Sequence, residues 1–300
     1  MDKIGIFYAL GAYTAWGVFP IYWKLLKHLP SHEIILHRII WAFFFYAGWL
    51  MWRSYRERTM ATSWAELRGQ LSFKNIRLFV ISCALITLNW YLYVYAVNSN
   101  HILQSSLGYY INPIFSGVLG VFVLNEKITG LKRWAAGLCM TAVFLFTYAY
   151  GQFPWIALTL AGSFSLYGLV RKKSRVDVLT HSTLELLIVL PLALVALVYV
   201  RSHSSVELTV RDWALLILSG AVTGLPLIWF AESAQRIPLF ALGFFQYIAP
   251  TLQFMCGLFL YSEPISSFQL WAFALIWLGV ALFICDTILG LRNEKRELED

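Results

Sequence analysis

With 300 residues that are 59% hydrophobic, 17% aromatic and only 13% charged, the chain is too apolar for a soluble domain of its length. Its net charge of +7 is spread between apolar runs rather than gathered on one face, which excludes a nucleic-acid partner and leaves the lipid bilayer as the first one.

Ten runs are long enough to cross a hydrocarbon core of roughly 30 Å as helices. They cover residues 4–23, 34–52, 76–97, 104–124, 132–148, 154–170, 182–200, 213–233, 240–260 and 268–289. The first is too long for a signal-peptide core and lacks a small-residue cleavage site, so it is expected to stay in the mature protein. With the N-terminus inside, eighteen of the 23 Lys and Arg fall on inner segments and four on outer loops. That asymmetry predicts an all-α polytopic protein of a bacterial inner membrane with both termini cytoplasmic, as is the loop around Arg58.

Span 1 carries Trp16 near mid-depth, and Lys24 beside Trp23 is expected to anchor the outer interface. Between spans 1 and 2, His28, His32, Glu33 and His37 invite a metal reading, but H-E-x-x-x-H turns its second His about 140° from the first on a helix, so no metal site is predicted. Arg38 lies roughly 6 Å inside span 2 and is a gate or site candidate, with snorkelling as the competing reading. The loop after it contains SWAELRGQL, where Ser63 and Glu66 form a capping-box pattern over a short interfacial helix. Span 3 places Asn89, Trp90 and Tyr93 near the middle of the membrane.

Span 4 opens a repeat. YINPIFSGVLGVFVLNE (110–126) returns as YIAPTLQFMCGLFLYSE (247–263), with Tyr110, Pro113, Gly120 and Glu126 matching Tyr247, Pro250, Gly257 and Glu263 at one offset of 137 residues. Five spans per half invert the second copy, so the fold class is ten transmembrane helices in two inverted five-helix repeats, 1–150 and 151–300, the second with a short charged tail from Arg292. On span 4, Tyr109, Pro113, Ser116 and Gly120 form one stripe, and Gln246, Pro250, Gln253 and Gly257 form its counterpart on span 9. A stripe of Pro, Gly and polar groups belongs inside the bundle. With Tyr167 on span 6 and Trp229 on span 8, it completes a predicted substrate cavity of Trp16, Asn89, Trp90, Tyr93, Tyr110, Tyr167, Trp229, Gln246 and Gln253.

Glu185, in span 7, occupies the place that Arg38 holds in span 2; inversion keeps them apart, so Glu185 is expected to meet the basic run Arg171 to Lys173, and Arg38 to meet Glu263 when the outer side closes. Glu126 and Glu263 stand just before the spans that follow them, where a carboxylate caps a helix N-terminus. Cys83, Cys139, Cys256 and Cys285 sit within spans at unrelated depths and read as small apolar residues. No G-x-x-x-x-G-K-[ST] motif occurs, and no paired intramembrane aspartates, so neither an ATP-driven pump nor an enzyme is predicted, and no cofactor.

YTAWGVFPIYWK near the start, HEIILHRIIWA at span 2, the Asn112-Pro113 pair followed by Glu126, and GFFQYIAPTLQF at span 9 resemble the RarD-type members of the EamA family, in the drug/metabolite transporter superfamily. The resemblance covers the whole chain. It implies ten helices around a central cavity lined mainly by spans 1, 3, 4, 6, 8 and 9. The reading taken is a secondary transporter for a small organic molecule, with protons as the candidate coupling ion. Ala42 departs from the Ser expected after the Trp of span 2. An uncoupled facilitator, or a membrane-embedded enzyme or scaffold, are the other readings; the inverted stripe favours transport, because an enzyme needs no such symmetry.

Overall fold

The structure is a computed structural model that describes residues 2–56, 69, 72–98, 102–128, 130–150, 153–204, 206–260 and 267–297. The expected interfacial helix, apart from Gly69, and Glu263 lie outside these residues.

Eight helices follow one another: α1 (Lys3–Lys24), α2 (Ser31–Arg56), α3 (Phe73–Asn98), α4 (Ile102–Leu124), α5 (Gly130–Tyr150), α6 (Trp155–Lys173), α7 (Val178–Ser202) and α8 (Val210–Arg236). The ninth span is broken into α9 (Leu239–Gln246), α10 (Ile248–Met255) and a π-helical turn (Cys256–Leu260), and α11 (Ser267–Glu297) is the tenth. Residues 240–260 were expected to be one helix. Pro250 has no N–H to give the carbonyl of Gln246, and the Tyr247 amide turns to Phe244 at 3.2 Å instead, so the helix opens there. The charged tail from Arg292 continues α11 as far as Glu297.

Local signals set the helix starts. Asp2 accepts from the Ile4 amide at 2.9 Å, Asp177 from Thr180 at 3.0 Å, and Thr209 with Asp212 forms a capping box on α8. In α1, α2, α7, α8 and the Asn75–Tyr93 part of α3, length and hydropathy alone suffice for a bilayer crossing. Shorter apolar stretches occupy Gly108–Leu124, Leu239–Leu252 and Ala274–Asp286. Phe7, Trp134 and Val198 are each at least 70% exposed, an outer surface that only lipid would solvate.

The packing pairs reveal the symmetry. Helix α1 packs on α8 and on α10, α2 on α8 and α7, α3 on α6 and α7, α4 on α6 and α9, and α5 on α11. Exchanging each span with the one five places along maps these pairs onto one another, as two inverted five-helix repeats require; α6 also packs on α8, with no comparable α1–α3 pair among the described residues. Tyr247 and its repeat mate Tyr110 meet on this axis, where the Tyr247 hydroxyl donates to the Tyr110 carbonyl at 3.4 Å.

One end of the bundle carries the start of α1, the end of α8 and the α6–α7 connection; there Arg53 grips Asp177 with two hydrogen bonds of 3.0 and 2.9 Å. Partial burial pushes the Asp177 carboxyl up, but the Arg53 guanidinium and the Thr180 amide outweigh it and hold the group below its ordinary value. A depressed carboxylate contributes stability above the unfolded value of about 3.9 and loses it as pH falls through the folded one. Both side chains are over a third exposed, so the bridge contributes at most about 1 kcal/mol. Arg53→Gln is therefore expected to lower the thermal midpoint slightly at pH 7 and by progressively less as pH falls below the unfolded carboxylate value, measured by scanning fluorimetry in detergent.

Candidate functional site

A cavity of about 460 Å³ runs from the α1–α2 connection, with Lys27 and Ser31 at its mouth, to mid-bundle. Helix α1 contributes Trp16 and Trp23, α3 contributes Asn89, Trp90 and Tyr93, and α6 contributes Phe164. Opposite them stand the repeat-related pairs Tyr109 with Gln246 and Asn112 with Ala249, from α4 and the broken ninth span.

Arg38 reaches this space from α2. Its Nε donates to the Thr223 hydroxyl at 3.1 Å, and its guanidinium carbon lies 4.7 Å from the Trp23 ring centre and 5.1 Å from that of Trp90. Trp23, expected at an interface beside Lys24, is thus turned inward. Asn89 spends its amide hydrogens on the Leu160 carbonyl at 2.9 Å and Ser163 at 3.0 Å, tying α3 to α6. Asn112 is braced in the same way: its amide oxygen accepts from Ser116 at 3.2 Å and Ser165 at 2.9 Å. Tyr13 lines the cavity, and its buried hydroxyl has no hydrogen-bond partner among the described residues.

An aromatic layer ends the cavity. Tyr13 meets Trp16 at 5.4 Å, Trp16 meets Phe164 at 5.7 Å, Phe164 meets Phe230 at 5.0 Å, and Tyr167 stacks on Phe230 at 6.0 Å. Tyr167, predicted as a lining residue, belongs to this floor and not to the cavity wall, because it is one helical turn beyond Phe164 on α6. Two other predicted lining residues are elsewhere too. Tyr110 turns to the repeat axis, since Tyr109 takes the cavity side, and Trp229 packs over Gly11 of α1, where an added Cβ would stand 3.1 Å from its ring. Trp16, Asn89, Trp90, Tyr93 and Gln246 do line the cavity; the side chain of Gln253 is outside the described set.

Beneath the floor lies a buried charge cluster. Arg171 Nη1 stands 3.4 Å from Glu185 Oε2, and its Nη2 donates to the Val178 carbonyl at 3.2 Å and Ser182 at 3.0 Å. His181, one turn before Glu185, is 3.6 Å from the same carboxylate and bridges Ser82 at 3.0 Å to Ser174 at 2.8 Å. The His-x-x-x-Glu spacing at the head of span 7 was a readable sign of this cluster.

Glu126 closes the same end. Its two oxygens accept the Leu239 and Phe240 amides at 2.7 and 2.9 Å, with Lys172 at 3.9 Å. It caps a helix, as its type suggests, but the helix is α9 of the other half rather than the following α5. The histidines near the mouth go separate ways: His28 pairs with Asp212 at 3.0 Å, His37 accepts from Trp41 at 3.3 Å, and Glu33 takes Arg201 at 3.0 Å.

The profile of the EamA-like transporter family matches residues 3–148 and 154–285. An uncharacterized transporter of Bacillus subtilis, YojE, is 39% identical over 98% of this chain and 97% of its own. Protein RarD of Escherichia coli K12 is 36% identical over 97% of both chains. A solved structure, 16% identical, superposes with a TM-score of 0.71 over 94% of this chain and 98% of that one, and so shares the fold. Two inverted halves around one cavity and full-length relatives of this likeness lead to one conclusion: the chain belongs to the EamA-like transporter family and is a multi-pass membrane transporter.

Proposed function

We propose that the protein is a secondary carrier of a small organic molecule, working by alternating access between halves 1–150 and 151–300. One observation carries the reading: among the described residues the cavity reaches one end of the bundle only, while the aromatic floor and the Glu126 clasp shut the other. The inverted repeat supplies the opposite state by exchanging the roles of the halves. The lysine and arginine distribution supports a bacterial inner membrane with both termini and the Glu126 end cytoplasmic, which makes this the outward-open form. Trp16, Asn89, Trp90, Tyr93 and Gln246 contact the substrate in this reading, with Arg38 and Glu185 at the two ends of the path. Glu263 keeps its sequence-based role as a gate carboxylate. Coupling to protons is supported by Glu185 and His181, buried titratable groups one turn apart below the floor.

The experiment is uptake into sealed proteoliposomes across a small-molecule panel, with and without a pH gradient. Gradient-stimulated uptake that Glu185→Gln uncouples is the expected result. Equal uptake without the gradient makes the protein a facilitator, and no uptake of any compound by folded protein removes the carrier reading.

A further inference from the structure

The geometry points to an organic monocarboxylate with a flat apolar body as the substrate class, its carboxylate held by Arg38. This deepens the carrier reading and rests on the cavity being the substrate site. A cation in a membrane-spanning helix is costly unless a counter-charge or water meets it. Among the described residues Arg38 has neither an Asp nor a Glu in ion-pair range, and none of those that line the cavity carries a carboxylate. Its hydrogen-bonded partner, Thr223, is neutral and 1% exposed.

Trp23 and Trp90 give the guanidinium two π faces, which attract its charge without neutralising it and hold the plane in place. Among the described residues only Nε is committed to a protein acceptor, so the two Nη groups remain for a planar, two-oxygen ligand group, the pairing that guanidinium makes best. Lys27 at the mouth adds a second positive charge with no described acidic partner, so the path in favours anions over cations. The remaining wall, Trp16, Trp90, Tyr93 and Phe164, suits a flat apolar body, and about 460 Å³ is the volume of a small-molecule site. A cationic amine would meet Arg38 and Lys27 with nothing to balance it. A neutral amide would leave Arg38 unpaired.

The test uses three probes that share one body: 3-phenylpropionate, 3-phenylpropionamide and 3-phenylpropylamine. Binding to the purified full chain in detergent is read by calorimetry and by tryptophan fluorescence, since Trp23 and Trp90 flank the site. The carboxylate is expected to bind at least about tenfold more tightly than the amide, and the amine least tightly. Arg38→Gln should abolish that preference. Arg38→Lys, which keeps the charge and loses the fork, should keep the preference with weaker binding, and it carries the test if the Gln variant does not fold. Equal binding of carboxylate and amide, strongest binding of the amine, an undiminished preference in folded Arg38→Gln, or no binding of any probe would each overturn the inference. Carboxylate-selective binding without proteoliposome uptake would instead leave the monocarboxylate as the ligand class of the cavity and remove the carrier reading.

Discussion

Arg171→Leu is expected to destabilise the protein by about 3–5 kcal/mol, because it strands the Glu185 carboxylate in a site that is 3% exposed. The partners that remain to that carboxylate, His181 at 3.6 Å and the surrounding hydroxyls, do not replace a guanidinium. Glu185→Leu should cost as much from the other side, leaving Arg171, among the described residues, the Val178 carbonyl, Ser182 and the Tyr167 ring for its charge. The double variant, Arg171→Leu with Glu185→Leu, should recover most of the loss, since well-packed apolar groups often replace a buried pair at little cost. Thermal midpoints and monodisperse yield in detergent measure all three. Transport separates structure from function here: a stable double variant that no longer transports assigns the pair to the cycle, and one that transports normally confines it to packing.

The second large effect is expected at Gly220, where α8 crosses α2. A Cβ there would lie 2.3 Å from the Trp41 carbonyl oxygen and 2.4 Å from its carbon, a collision with backbone that no rotamer relieves. Gly220→Val should therefore force the helices apart and cost more than the roughly 1–3 kcal/mol of ordinary overpacking. Arg38 is one turn before Trp41 and Thr223 one turn after Gly220, so the same shift should break their 3.1 Å hydrogen bond and weaken ligand binding. Gly48→Ala is the control: nothing lies within 4 Å of its added Cβ, and replacing an exposed-face helical glycine should be neutral or stabilise by up to about 1 kcal/mol. Expression yield and thermal midpoint check both variants, and a Gly220→Val protein as stable as the parent would show that the crossing tolerates separation.

The repeat was legible because it is written in residue types that helix packing needs: the Pro113 and Pro250 positions, Gly120 and Gly257, and one constant offset. The grouping of Trp16, Asn89 and Trp90, placed at one level by counting along their spans, was legible too, since all three line the cavity. Rotation about each helix was harder to read. Tyr109 and Tyr110 differ by about 100° of helix, and both are aromatic, so only the neighbouring helices decide which one meets the cavity. Long-range partners were not legible at all. Nothing near Glu126 says that its acceptors will meet amides 113 and 114 residues away, and nothing in span 2 says that Arg38 will sit between tryptophans from spans 1 and 3.

The Glu126 clasp also bears on time. Under alternating access its two bonds to the start of α9 must break once in every cycle, and bonds to a charged acceptor each contribute about 1.5–3 kcal/mol. If the barrier carries both, that end opens about two to four orders of magnitude more slowly than an unlatched one. The dwell of the carrier in its present form is then set by a single carboxylate that never touches the cargo, and the pace of the cycle and the choice of what is carried are free to change independently.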